Sequence, residues 1–95
     1  YKVQIEVEFG NAASYYRDLF KFQRAFTNDL ADVCILILPV QHLSTRIDSG
    51  LANFEKAVRE LPDCKLSTTV PILVLGLVDD NCFDVGSYFF DSNKV

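Results

Sequence analysis

Strict alternation of apolar and polar residues opens the chain. Between positions 2 and 9 polar and apolar side chains alternate. The polar ones are Lys2, Gln4, Glu6 and Glu8, and the apolar ones are Val3, Ile5, Val7 and Phe9. A period of two is typical of a β-strand that is buried on one face only. We therefore expect the apolar set to lie in the core and Glu6 and Glu8 to lie together on an exposed face.

Helical spacing and apolar runs predict the elements that follow. Asn11 is a suitable N-cap for a helix over 12–28. After it we expect a central strand at 33–38 covered on both faces, a polar loop at 41–48, a helix over about 49–61, a third strand at 70–78, a turn at 79–81 and an extension over the last fourteen residues. The β-α-β-α-β order with short links predicts an α/β fold, with helices packed on a mixed sheet.

The composition fits one domain over residues 1–95. At 95 residues and 49% hydrophobic content there is material for one core, and no apolar run approaches the ~20 residues of a membrane span. Three cysteines without a C-x-x-C pair and one histidine, His42, argue against zinc and favour a reducing, cytoplasmic setting. The net charge of −4 argues against a generally basic DNA-binding surface, although Arg17, Lys21 and Arg24 form a basic stripe on the first predicted helix.

Glu6 and Glu8 carry the most evident chemistry. Two carboxylates at i and i+2 of a strand have β-carbons roughly 6.5–7 Å apart, so their oxygens can converge on one divalent cation. The sequence contains no G-x-x-x-x-G-K-[ST] or G-x-G-x-x-G phosphate loop and no G-x-S-x-G nucleophile turn. Metal-assisted phosphodiester hydrolysis suits these residues, and the alternative is a solvated strand face that happens to carry two glutamates.

The segment 3–11, VQIEVEFGN, resembles the catalytic strand of type II restriction endonucleases of the PD-(D/E)xK superfamily. The similarity is greatest to the BglII and BstYI group, with BamHI more distant, and it continues through the helix at 15–26 and the strands at 33–38 and 72–80. It implies a partial restriction-endonuclease core that lacks its N-terminal part. The absence of methionine and the start within a strand agree with a fragment of a longer protein.

The resemblance also implies roles for the acidic strand. Glu6 matches a metal ligand, the carbonyl of Val7 would be a further ligand, and Mg²⁺ is the implied cofactor, with Mn²⁺ as a substitute. Glu8 stands where most of the superfamily has lysine, so its role as general base or as water-orienting group stays open. The family needs another aspartate before Glu6, and none of the five preceding residues is acidic. That aspartate lies upstream or is missing, so the chain as given should not cleave DNA by itself.

The segment after the central strand is the expected DNA-reading loop. In the similar enzymes this loop enters the major groove, which here implies base contacts by Ser44, Thr45, Arg46, Asp48 and Ser49. Arg46 has donors for O6 and N7 of guanine, whereas Asp48 or Ser49 could instead cap the next helix. Three roles remain open for Lys21 and its basic stripe. The side chains could contact DNA phosphates, face a second subunit, or only solvate the helix.

The function implied is a sequence-specific, Mg²⁺-dependent endonuclease that acts on double-stranded DNA as a homodimer. By analogy its site is a short palindrome that contains GATC, and no membrane partner is expected. Two alternatives stay open. One is a repair or recombination nuclease of the same superfamily, and the other is a non-catalytic α/β interaction domain in which Glu6 and Glu8 are surface residues.

Overall fold

A computed structural model describes residues 1–78 and 86–92 of the chain. The elements in chain order are β1 (Val3–Val7), α1 (Ala12–Thr27), β2 (Val33–Pro39), α2 (Gln41–Ile47), α3 (Phe54–Glu60), a 3-10 helix (Leu61–Cys64), β3 (Ile72–Leu77) and β4 (Ser87–Phe90). The sheet order is β1-β2-β3-β4, with β1, β2 and β3 parallel and β4 antiparallel to β3. The fold is therefore α/β with a mixed sheet, as the sequence predicts.

The long helix α1 has well-defined ends. Asn11 is its N-cap, and the side-chain oxygen of Asn11 accepts a hydrogen bond from the backbone N–H of Ser14 at 3.0 Å. At the other end Asp29 has a positive φ of 59°, and the backbone N–H of Leu30 donates to the carbonyl of Ala25 at 2.8 Å. This left-handed residue and its backbone bond close the helix as a Schellman motif does. The predicted N-cap is thus confirmed.

One apolar core lies between the helices and one face of the sheet. Its buried side chains come from α1, β2, α3, the 3-10 helix, β3, β4 and the connecting segments, and the largest are Tyr15, Phe22, Leu36, Leu38, Leu61, Val70, Ile72, Val74 and Phe90. Phe90 belongs to the last strand, so the terminal extension expected from the sequence is partly a strand of the core sheet. Among the described residues, no helix is long and apolar enough to cross a membrane.

The orientation predicted for β1 is wrong. Its apolar side chains are exposed, with 49% of Val3, 56% of Ile5 and 55% of Val7 accessible, whereas Glu6 and Glu8 are half-buried. The alternation itself is confirmed, but the helices cover the polar face of β1. Alternation shows that two faces of a strand differ, and it does not identify the face on which the helices pack.

The strand register explains why this orientation is tolerated. Ile5 pairs with Ile35, Ile35 with Leu73, and Leu73 with Phe89, so one apolar row crosses all four strands on the face away from the core. The apolar β1 residues therefore have apolar neighbours on β2. The central strand β2 is accordingly buried on its core face and only half-buried on the other, not fully covered on both.

The segment between β2 and β3 differs from the predicted loop and long helix. Residues 41–47 form α2, and the next helix begins only at Phe54, with the side chain of Asn53 as its N-cap. Asp48 ends α2 and its carboxylate accepts from the N–H of Gly50 at 2.9 Å, so neither Asp48 nor Ser49 caps the following helix. The turn predicted at 79–81 lies outside the described residues.

Candidate active site

Glu6 and Glu8 lie on the same side of the β1 strand and face helix α1. The Nζ atom of Lys21 is 3.8 Å from Oε1 of Glu6, with about half of the Lys21 side chain still accessible (51%). Lys21 therefore belongs to the acidic site, where its ammonium partly balances the negative charge. Such a half-exposed pair contributes little to stability, so its main effect is to place a positive charge beside Glu6.

The backbone at Gly10 holds the carboxylate of Glu8. The N–H of Gly10 donates to Oε2 of Glu8 at 2.6 Å, the short distance of a hydrogen bond to an ionic acceptor. A β-carbon at position 10 would lie 2.5 Å from that oxygen and 2.8 Å from the β-carbon of Ser14. Only glycine fits between the Glu8 carboxylate and the first turn of α1 without a shift of one of them.

A third carboxyl group, that of Asp18, completes the cluster from α1. Asp18 is only 4% exposed, and its Oδ2 atom is buried without a hydrogen-bond partner. Burial, a hydrogen bond with Glu8, and the negative charges of Glu8 and Glu6 raise the pKa of Asp18 to about 7, against a smaller opposing effect of Lys21. Asp18 can therefore keep its proton near neutral pH and donate it to Glu8.

Asp18 is the site residue that the sequence interpretation missed. Its helical neighbours Tyr15, Leu19 and Phe22 were assigned to the apolar face of the helix, and Asp18 lies within the same stripe at a spacing of three and four residues. An acid inside the apolar stripe of a helix is unusual, because an ionised carboxylate is rarely buried without a partner. That position in the stripe was the available signal.

The donor set suits a hard divalent cation, although it is incomplete. Carboxylate oxygens are the ligands that such cations prefer, and the buried Oδ2 of Asp18 has no hydrogen-bond partner. Across residues 1–78 and 86–92, however, no three Asp, Glu, His or Cys side chains are arranged to bind a metal together. The described residues can therefore supply part of a coordination shell, with Glu6 and the Val7 carbonyl as its predicted protein ligands.

Most of the predicted DNA-reading residues lie on the surface of α2 and the turn after it. Thr45, Arg46, Asp48 and Ser49 are exposed. Ser44 is the exception, because it is 2% exposed and its hydroxyl donates to the carbonyl of Gln41 at 3.0 Å. This burial argues against a base contact by Ser44.

The segment that follows α2 is joined directly to the acidic site. The N–H of Ala52 donates to the carbonyl of Gly10 at 3.0 Å, and Asn11 forms an isolated antiparallel bridge with Leu51. The same Gly10 donates its N–H to Glu8. The connection between α2 and α3 is thus held against the end of the acidic strand.

The sequence model of the family described as Restriction endonuclease BglII/BglIII matches residues 1–77. This chain belongs to that family. The match covers β1, α1, β2, α2, α3 and β3, and so includes the carboxyl cluster and the exposed surface of α2. Membership of the BglII/BglIII family identifies the protein as a nuclease that binds DNA and hydrolyses it sequence-specifically. No curated protein matches the chain.

Proposed function

We propose that the intact protein is a Mg²⁺-dependent type II restriction endonuclease of the PD-(D/E)xK type, close to the BglII and BstYI group. Its substrate is double-stranded DNA with a short palindrome that contains GATC. The observation that carries the proposal is the cluster of Glu6, Glu8 and Asp18 with Lys21, inside the region that matches the BglII/BglIII family. A non-catalytic interaction domain is disfavoured, because Glu6 and Glu8 are half-buried against α1 and are not ordinary surface residues.

Glu6 and the carbonyl of Val7 would hold the divalent cation at the end of β1. When bound, Mg²⁺ polarises a phosphoryl oxygen and lowers the pKa of a bound water. Water and substrate phosphate commonly complete the shell of Mg²⁺, which is usually held by only one or two carboxylates. A pair of protein ligands in the described residues is therefore compatible with this cofactor, and Mn²⁺ should replace it.

Two further side chains act beside Glu6. Glu8, fixed by the N–H of Gly10, would orient the attacking water or accept its proton. Lys21 brings an ammonium to 3.8 Å from Glu6 while half of its side chain stays accessible, which suits contact with a DNA phosphate next to the cleaved bond. Of the three roles that the sequence leaves open for Lys21, we propose the phosphate contact.

The exposed surface of α2 and the turn after it would read the bases. Thr45, Arg46, Asp48 and Ser49 carry the donors and acceptors that base edges require. The backbone bond between Ala52 and Gly10 fixes this segment to the acidic strand, so base reading and cleavage would share one rigid frame. A palindromic site has two-fold symmetry, and we therefore extend the proposal to a homodimer.

Glu6→Ala in the intact protein tests the proposal. We expect cleavage of a GATC-containing duplex in Mg²⁺ to be abolished while binding to the same duplex persists, because Glu6 serves the chemistry and not the docking. Gln4→Ala is the matched control, since Gln4 lies on the same face of β1 and is also half-buried. Cleavage by Glu6→Ala at a rate close to that of Gln4→Ala would remove Glu6 from the catalytic site. Loss of cleavage in both variants would indicate a damaged strand instead of a missing ligand.

A further inference from the structure

Helix α1 exposes only positive charge in a chain whose formal net charge is −4. Three of its basic residues are exposed, namely Arg17, Lys21 and Arg24. Its only acidic residue, Asp18, is 4% exposed. Among the described residues, Lys21 makes an ion pair with Glu6, whereas Arg17 and Arg24 make none. Two of the three cations therefore have no counter-charge in the described part of the protein.

The three cations form a row along the helix. At 3.6 residues per turn, positions 17, 21 and 24 lie within an arc of about 60°, and the rise of ~1.5 Å per residue spreads them over roughly 10 Å of the helix axis. A row of separated cations is complementary to a linear polyanion more than to a single small anion. Each strand of DNA is such a polyanion, with phosphates at regular intervals.

A groove beside this row begins at the acidic site. Its volume is about 500 Å³, and it is lined by Gln4, Lys21, Arg24, Ala25, Asn28 and Leu30. Lys21 belongs to both sites, because its Nζ atom is 3.8 Å from Oε1 of Glu6. Gln4 is half-buried on the same face of β1 as Glu6, two residues and thus ~6.6 Å away along the strand. The groove therefore leads from Glu6 towards the start of β1 and the end of α1.

The groove combines charged, amide and apolar groups. Lys21 and Arg24 supply the positive charge. At the far end, the side-chain amide of Asn28 donates one of its two N–H groups to the carbonyl of Arg24 at 2.7 Å, which fixes the amide there. Ala25 and Leu30 form an apolar wall, and Leu30 is 70% exposed. A DNA strand alternates charged phosphates with largely apolar sugars, so this lining suits both of its components.

We propose that the groove binds the backbone of one DNA strand, with Arg24 on a phosphate that flanks the one being cleaved. Lys21 serves the phosphate beside Glu6, and Arg24, three residues further along α1, serves a neighbouring one. Contacts of this kind fix the position of a duplex and carry no sequence information. The inference rests on the proposed function for the place of the cleaved phosphate, whereas DNA binding in the groove is measurable without cleavage.

The test is Arg24→Ala in the intact protein, with DNA binding measured in metal-free buffer. We expect the affinity to fall about 10-fold at low salt, and equally for the cognate and a scrambled duplex, because a phosphate contact is independent of sequence. The slope of log K against log salt concentration should become shallower by about 0.9, the value for one phosphate contact. Arg24→Lys keeps the charge and should retain most of the affinity.

Arg59→Ala is the matched control. Arg59 is an exposed arginine in the last turn of α3, as Arg24 is in the last turn of α1, and it lies outside the groove. Its replacement should leave both the affinity and the salt slope unchanged. The bonds that close α1 at position 24 use the backbone carbonyl of Arg24, which alanine retains, so Arg24→Ala preserves the end of the helix.

A series of modified duplexes identifies the phosphate. In each cognate duplex one phosphate is replaced by a neutral methylphosphonate. At the phosphate that Arg24 contacts, this replacement should weaken binding by the wild type and have almost no further effect on Arg24→Ala, because the contact is already lost. At every other position the wild type and the variant should respond alike. We expect the coupled phosphate within about two nucleotides of the cleaved bond, since Arg24 is three residues, or ~4.5 Å of helix axis, from Lys21.

The outcomes separate this inference from the proposed function. Wild-type affinity in Arg24→Ala, a loss confined to the cognate duplex, or the absence of any phosphate coupled to Arg24 overturns the groove. A lower dimer content of Arg24→Ala in sedimentation, with the DNA affinity of the dimer unchanged, overturns it in favour of a subunit interface. If the wild type binds DNA and cleaves none in Mg²⁺, while Arg24→Ala weakens binding to both duplexes, the proposed function fails and the groove stands.

Discussion

Replacement of Asp18 by asparagine should stabilise the protein at neutral and alkaline pH. The pKa of Asp18 is raised from 3.8 to about 7 by burial and by the neighbouring Glu8 and Glu6, with Lys21 opposing. Each pKa unit corresponds to ~1.4 kcal/mol. Ionised Asp18 therefore costs the folded state on the order of 4 kcal/mol, an upper value because the carboxyl groups titrate together. Asparagine has the same shape and no charge, so the folded state of Asp18→Asn does not bear this free-energy cost.

The sign of the pH dependence follows from proton binding. Between about pH 4 and pH 7 the folded protein keeps the Asp18 proton while the unfolded chain has lost it, so the free energy of unfolding falls as the pH rises. The measurement is urea unfolding in metal-free buffer at pH 4, 5, 6, 7 and 8. The free energy of unfolding of Asp18→Asn, relative to that of the wild type, should increase between about pH 4 and pH 7. The difference should then stay constant above about pH 7. Asp63→Asn controls for the loss of one negative charge at an exposed position. A difference that does not change with pH, or a wild type more stable than Asp18→Asn at pH 8, would refute the reasoning.

Two further predictions concern the DNA surface and the packing of α1. Arg46→Ala should weaken binding to the cognate duplex by ~1–3 kcal/mol and leave binding to a scrambled duplex nearly unchanged. The measurement is a pair of binding titrations on the two duplexes at two salt concentrations. Equal weakening on both duplexes, with a weaker dependence of the affinity on salt, would assign Arg46 to contacts with the DNA backbone. Gln23→Ala should lower the free energy of unfolding by roughly 2 kcal/mol, because its side-chain oxygen accepts from the N–H groups of Thr69 and Val70 at 2.8 and 3.0 Å. A change below about 0.5 kcal/mol in urea unfolding, the range of ordinary surface substitutions, would contradict a structural role for those two bonds.

The sequence predicted the elements whose signals are local. The N-cap of α1 was evident because Asn11 bonds to a backbone group three residues away. The strands β2 and β3 were evident because their sequences are apolar throughout, except for Gly76 in β3, and because the runs end at proline or polar residues. Each of these signals depends on residues close together in the chain, and each was confirmed to within two residues at either end.

Helix α2 was missed because its start is stabilised from a distance. The residue before it, Val40, provides no side-chain cap. The N–H of Gln41 instead donates to the carboxylate of Glu55, fourteen residues later on α3, at 2.7 Å. Such a cap satisfies the first free N–H of the helix as a local one would. It depends on the packing of α3 beside α2, which no local pattern in 41–48 reveals.

The acidic site shows the same division between local and distant information. Spacing along β1 was enough to place Glu6 and Glu8 on one face, yet their surroundings depend on which face α1 covers. Once α1 packs on the polar face, two residues of that helix, Asp18 and Lys21, meet the two glutamates. Gly10 makes this approach possible, because a side chain there would separate the strand from the first turn of the helix. The carboxyl cluster is therefore a product of the β1–α1 connection, because that connection brings the buried Asp18 of the helix to the two glutamates of the strand.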